Sequence, residues 1–257
     1  MPSGKRSKQQ RQAKPPPVQS KGGGRISRRT PVIAGVVLLV LIGLGVGLPL
    51  GLENGHGSGG SSPQVAPIST LGHLQPPPPL GPPGPEGPPL ETGPNLAPTG
   101  SPSPGQSVYG IQCGAGEQLA EHTHARLTLF VNGHSEKVPY GVGIASPRLQ
   151  PGIGLPFVVS GACISWLHTH TTDGIIHTEA PAQHTYTLGN FFDVWGQPLS
   201  STQVGPAKGK VTTLYNGQVW LGDPRDIPLK EHTQVQLEVG SPLVAPVRIP
   251  SSDWAHL

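Results

Sequence analysis

The stretch WLHTHTTDGIIHTE, Trp166 to Glu179, places three histidines and a glutamate around a central Asp-Gly. Imidazole and carboxylate are the side chains that hold Zn, Cu, Fe and Mn. The spacing matters as much as the residue types. Side chains alternate along a strand, so residues two apart share a face. With Asp173-Gly174 as a two-residue hairpin loop, counting outward sets His170 opposite His177 and His168 opposite Glu179. His168, His170, His177 and Glu179 then project from one face. Opposed Cβ atoms would be about 4.5–5.5 Å apart, close enough for two imidazoles to share one ion at ~2.0–2.1 Å. The competing reading is plain. His and Thr suit an exposed strand face or a packed interior, and a slip of one residue would break the arrangement.

A second His-x-His stands in EHTHARLTLF, with His122 and His124 again at strand spacing. Nine of the eleven histidines lie between residues 107 and 257. His184 follows the hairpin, while His134, His232 and His256 stand apart. Arg126 shares the face of His122 and His124, and a cation there disfavours a nearby metal ion. The hairpin is therefore the primary ligand set, with His122 and His124 as further candidates and Zn or Cu as the favoured ion.

These residues need strands to position them, and the C-terminal 150 or so residues read as mainly β. Asn132-Gly133, Asp173-Gly174 and Asn216-Gly217 are hairpin signals. HARLTLFV sets Ala125, Leu127, Leu129 and Val131 on one face and His124, Arg126, Thr128 and Phe130 on the other. TQVQLEVG alternates in the same way, with Val235, Leu237 and Val239 together. A short helix is expected over Thr187 to Trp195. The predicted class is a β-sandwich or open barrel with at most one or two short helices, spanning residues 107–257.

The rest of the chain has other jobs. Residues 1–30 carry nine of the 17 Lys and Arg residues, and no acid precedes Glu53. From Glu53 onward the 14 acids outnumber the bases, so the basic isoelectric point belongs to the tail and does not mark a nucleic-acid binder. Residues 31–52 are uncharged and apolar. At 1.5 Å per residue they would reach roughly 33 Å, the thickness of a bilayer core. The adjacent arginines predict a cytoplasmic N-terminus and everything after Leu52 outside. A cleaved signal peptide competes, but the apolar run is long for one and no small-residue cleavage site follows. Residues 53–106 are rich in Pro, Gly and Ser, and are expected to be a disordered spacer. Cys113 and Cys163 both fall on the outer side, where a pair is most often a disulfide. It would close a loop of about 50 residues, worth roughly 4 kcal/mol. Ligation of a metal by Cys163 is the alternative, although the usual axial Met of a blue-copper site is missing outside the cytoplasm.

The runs EHTHARLTLFVNG, VPYGVGI, WLHTHTTDGIIHTEAP, YTLGNFFDVWGQPLS and NGQVWLGDPRDIPLKEHTQVQLEVG resemble a largely uncharacterised family of membrane-anchored or secreted His-rich proteins of bacteria and some archaea. The resemblance covers most of residues 113–240 and none of the tail or spacer. It implies an extracytoplasmic location and brings no activity with it. His168, His170, His177 and Glu179 match its pattern. A third His often stands in that pattern where this chain has Arg126, which weakens a metal role for the first strand.

Three readings remain. One is an anchored extracytoplasmic domain that binds a transition metal. Another is a cupin-like metal enzyme with Glu179 or Asp173 as base. In that reading the Glu comes nine residues after the second His, where a cupin has it four or five later, and no nucleophile motif is present. The last is a metal-free envelope module that docks a partner or wall polymer through Trp195, Trp220 or Trp254.

Overall fold

A computed structural model describes residues 65–255 and 257. The predicted cytoplasmic tail and the span at 31–52 lie outside the described residues. Among the described residues, no helix is long and apolar enough to cross a membrane.

The protein is mainly β, as its alternating runs predict. Eight strands form the principal sheet: β1 (Val65–Ala66), β2 (Glu121–Val131), β3 (His134–Glu136), β4 (Leu167–His168), β5 (Ile175–Ala180), β6 (Val211–Tyr215), β7 (Gln218–Trp220) and β8 (Thr233–Val239). Their order is β1-β7-β6-β8-β2-β5-β4, with β3 paired to the far half of β2. The β8–β2 pair is parallel and the others are antiparallel. Two of the predicted hairpins form as expected. Val131 pairs with His134 across Asn132-Gly133, and Tyr215 with Gln218 across Asn216-Gly217. Both residues of each turn have positive φ, as the type I′ turn demands.

The faces of β2 also alternate as expected. Ala125, Leu127 and Leu129 enter the main core with Ile176, Val235, Leu237 and Val239. One α-helix, α1 (Leu188–Trp195), packs Phe191, Phe192 and Trp195 into the same core. Thr187 caps its N-terminus by accepting from Asn190 N–H, and Gly196 closes it in the left-handed conformation. Cys113 and Cys163 form a buried disulfide with a Cα–Cα distance of 5.3 Å. It ties strand Ile111–Gly114 to strand Cys163–Ser165, two residues ahead of β4.

The spacer expectation needs correction. Residues 65–106 lie along the domain and belong to the same compact unit. Leu90, Leu96 and Ala97 are buried, and Trp195 donates its indole N–H to Pro98 O. Proline-rich chain cannot form its own core, but it can pack as an extended strap on a surface built by others. Its backbone groups find partners there: Glu91 N–H donates to Thr172 O and Leu96 N–H to Lys137 O. Consequently the second face of β2 is covered as well. Arg126, Thr128 and Phe130 on that face are all buried.

Candidate metal centre

Three neighbouring strands build the centre. β4, β5 and β2 are adjacent, and one row across them reads His168, His177, His124. The next row pairs Glu179 with His122. All five side chains therefore share one face of the sheet.

The hairpin register differs from the sequence expectation. His168 faces His177 rather than Glu179, so Asp173-Gly174 is not a two-residue turn. The shift is two positions, which keeps the parity and hence the face. The cause is competition for backbone groups. Residues 169–172 bond to other segments instead of to β5: Thr169 N–H donates to Val142 O, Val158 N–H donates to His170 O, and Thr172 O accepts from Glu91. The Asp173 carboxylate turns the chain by accepting from Ile175 N–H. His170 thus leaves the strand, yet it is held against the same site.

Two imidazoles are oriented by backbone carbonyls. His168 Nδ1 lies 2.9 Å from Ser165 O, and His170 Nδ1 lies 2.6 Å from Val158 O. A carbonyl only accepts, so each Nδ1 carries the proton and each Nε2 is left with a lone pair. Those two Nε2 atoms face each other at 3.0 Å. Burial holds both rings below the ordinary histidine range, and the neighbouring histidines add to the effect. Two unprotonated nitrogens at that distance repel unless a cation lies between them. Two ligands at ~2.1 Å from one ion, subtending 90–110°, would be about 3.0–3.4 Å apart. Metal-ligating histidines usually donate their other ring N–H to such a carbonyl, which fixes the ring.

His177 sits at the middle of the cluster. Its ring lies between those of His124 and His170, with centroids 4.8 and 4.6 Å away. Nε2 is 3.3 Å from Glu86 Oε1, and Nδ1 is 3.7 Å from Glu179 Oε1, neither with hydrogen-bond geometry. Burial works against charge on His177. The contacts and charges of Glu179 and Glu86 outweigh it and push the group up to about 10. Burial likewise favours the neutral acid at Glu86, but His177 and then His170 hold it below the usual carboxylate range. His124 is pushed down to about 3, by burial first and then by the charge of His177. Its Nε2, the Oε2 atoms of Glu86 and Glu179, and both nitrogens of His177 are buried without a hydrogen-bond partner. Orphaned polar atoms gathered in one place are costly unless something binds them.

Two sets of ligand atoms converge within 4.8 Å: His168, His170, His177 and Glu179, and His122, His124 and His177. All six expected site residues are thus brought together and could hold a metal ion. A cavity of about 330 Å³ adjoins them, lined by Glu86, Glu117, His122, His124, His170 and Glu179 among others. His122, with its side chain 42% exposed, stands at its rim. His134, His184 and His232 take no part in either set.

Two readings change here and one alternative falls away. Arg126 is not a bare cation on this face, because a carboxylate lies beside it. Nη2 is 3.4 Å from Glu91 Oε1, and Nε donates to Asp173 O. Cys163 is in the disulfide and is not a ligand. Among the tryptophans offered as a docking platform, Trp195 and Trp254 are buried, and Trp220 packs against the main core. Glu86 and Glu91 were missed because they lie in the Pro-rich stretch. One signal was available: they are the only charged residues between Glu53 and Glu117.

Comparison with protein-family models, curated proteins and solved structures finds no match to this chain.

Proposed function

We propose that this protein is a single-pass membrane-anchored, extracytoplasmic β domain, of sandwich or open-barrel type, that binds a transition metal ion at His168, His170, His177 and Glu179. One observation carries the reading. The Nε2 atoms of His168 and His170 face each other at 3.0 Å while both Nδ1 atoms are committed to carbonyls. Imidazole nitrogens with one carboxylate favour Zn or Cu. The anchor and the outward location rest on the uncharged run at 31–52 and its one-sided positive flank. The resemblance to the His-rich envelope family supports the same picture, since these four residues match its pattern.

The test is elemental analysis of the full-length chain, purified from an oxidising compartment, beside the variant His170→Ala/His177→Ala. Metal bound to the wild type and reduced at least tenfold in the variant is expected. Absence of metal from the wild type after reconstitution with Zn and with Cu would overturn the reading and leave a metal-free envelope module.

The cavity beside the ligands favours a second reading, a metal-dependent enzyme of cupin-like chemistry. An open position on the ion would face that cavity, and a small anion such as azide would then perturb the spectrum of the Cu-loaded protein. A closed shell gives no such perturbation.

A further inference from the structure

The ligand sets at the centre number two, and His177 belongs to both. We propose that the centre is dinuclear: a second metal ion is held by His122 and His124, with Glu179 and His177 between it and the first ion. This rests on the reading of the site as a metal centre.

The carboxylate of Glu179 points both ways. Its Oε1 lies 3.5 Å from His122 Nε2 and 3.7 Å from His177 Nδ1, whereas its Oε2 lies 3.9 Å from His168 Nε2. One oxygen thus faces each set, the arrangement of a bridging carboxylate. His177 has two ring nitrogens, both buried and both without a hydrogen bond. His177 carries a proton on each at neutral pH, so one ion displaces one proton and a second ion must displace the other. His124 supplies a third orphan, an Nε2 on a side chain that is almost wholly buried. One ion at His168 and His170 leaves that atom unsatisfied. The rings are continuous: His122 to His124 is 4.7 Å between centroids, His124 to His177 is 4.8 Å, and His177 to His168 is 5.3 Å.

Charge agrees. The cavity lining contains the carboxylates of Glu86, Glu117 and Glu179 and no Lys or Arg. Once His177 gives up its proton to an ion, these three carboxylates exceed the charge of one divalent ion. Arg126, the nearest cation on the face, is already engaged by Glu91. The two positions also differ in exposure. His168 is fully buried, while His122 is at the rim. The second ion therefore binds more weakly and exchanges first.

The experiment is a titration of the metal-free full-length chain with Cu(II), followed by elemental analysis and electron paramagnetic resonance. Wild type should saturate at about two ions per chain. Glu179 and the His177 ring would join the two Cu(II) ions magnetically, so the signal of the first ion should broaden or vanish as the second enters. His122→Ala/His124→Ala should stop at about one ion with an unbroadened signal. His122→Ala alone, at an exposed position that folding tolerates, should weaken the second ion at least tenfold. Saturation of the wild type at one ion, unchanged in the double variant, overturns the second site and leaves the first intact. Two ions retained by the double variant also overturn it. No copper in any protein, and no zinc on reconstitution either, overturns the metal reading itself.

Discussion

His168 and His170 show how little a residue's identity says without its proton. The two carbonyls at Ser165 and Val158 decide which nitrogen is free, and so aim both lone pairs at one point. His124 lets the electrostatics be measured. Burial and the charge of His177 lower it to about 3 from an ordinary 6.5. A folded value below the unfolded one means that the unfolded chain takes up the proton first. The stability contributed by neutral His124 is present above about pH 6.5 and is lost as pH falls toward 3. His124→Gln removes that loss. The difference in melting temperature between metal-free wild type and His124→Gln should shift against the wild type as pH falls from 7 to 4. A difference independent of pH would mean that His124 is not buried in its neutral form.

At the scale of elements, the decisive feature is the short β4 and the loop after it. Gly174 carries the turn into β5 with φ of +78°, and a Cβ there would press on the carbonyl of Leu127. That carbonyl belongs to β2, and Leu127 N–H donates back to Gly174 O. Gly174→Ala should cost about 1–3 kcal/mol from strain. It should also loosen metal binding, because β5 carries His177 and Glu179. Thermal melting and a metal titration of the same variant check both effects. The hairpin count from the sequence had the right face and the wrong partner. Parity is a property of the strand alone, whereas register depends on what residues 169–172 bond to instead.

Across the whole molecule, the strap at 65–106 is what makes the polar face of the sheet an interior. It supplies Glu86 to the candidate metal centre and Glu91 to Arg126. Burial raises Glu91 to about 7, against the attraction of Arg126. Above that pH, where Glu91 is ionised, removing it leaves a guanidinium buried without a counter-charge, which typically costs about 3–5 kcal/mol. Glu91→Ala should therefore destabilise the protein by that order in chemical denaturation. A change under about 1 kcal/mol would show that the strap is not seated on this face in solution.

The sequence by itself determined the β class, the faces of β2, two hairpins, the helix at Thr187 to Trp195, the disulfide and the identity of six candidate ligands. These follow from local rules: alternation, turn residues, and the pairing of two cysteines. Only the tertiary structure decided that His122 and His124 join the hairpin, because that needs β2 and β5 to be neighbours. It also decided that Arg126 lies against Glu91 and that a Pro-rich stretch packs as a strap. Composition reports whether a segment can form a core of its own. It is silent on whether the segment can lie on a core that other residues have built.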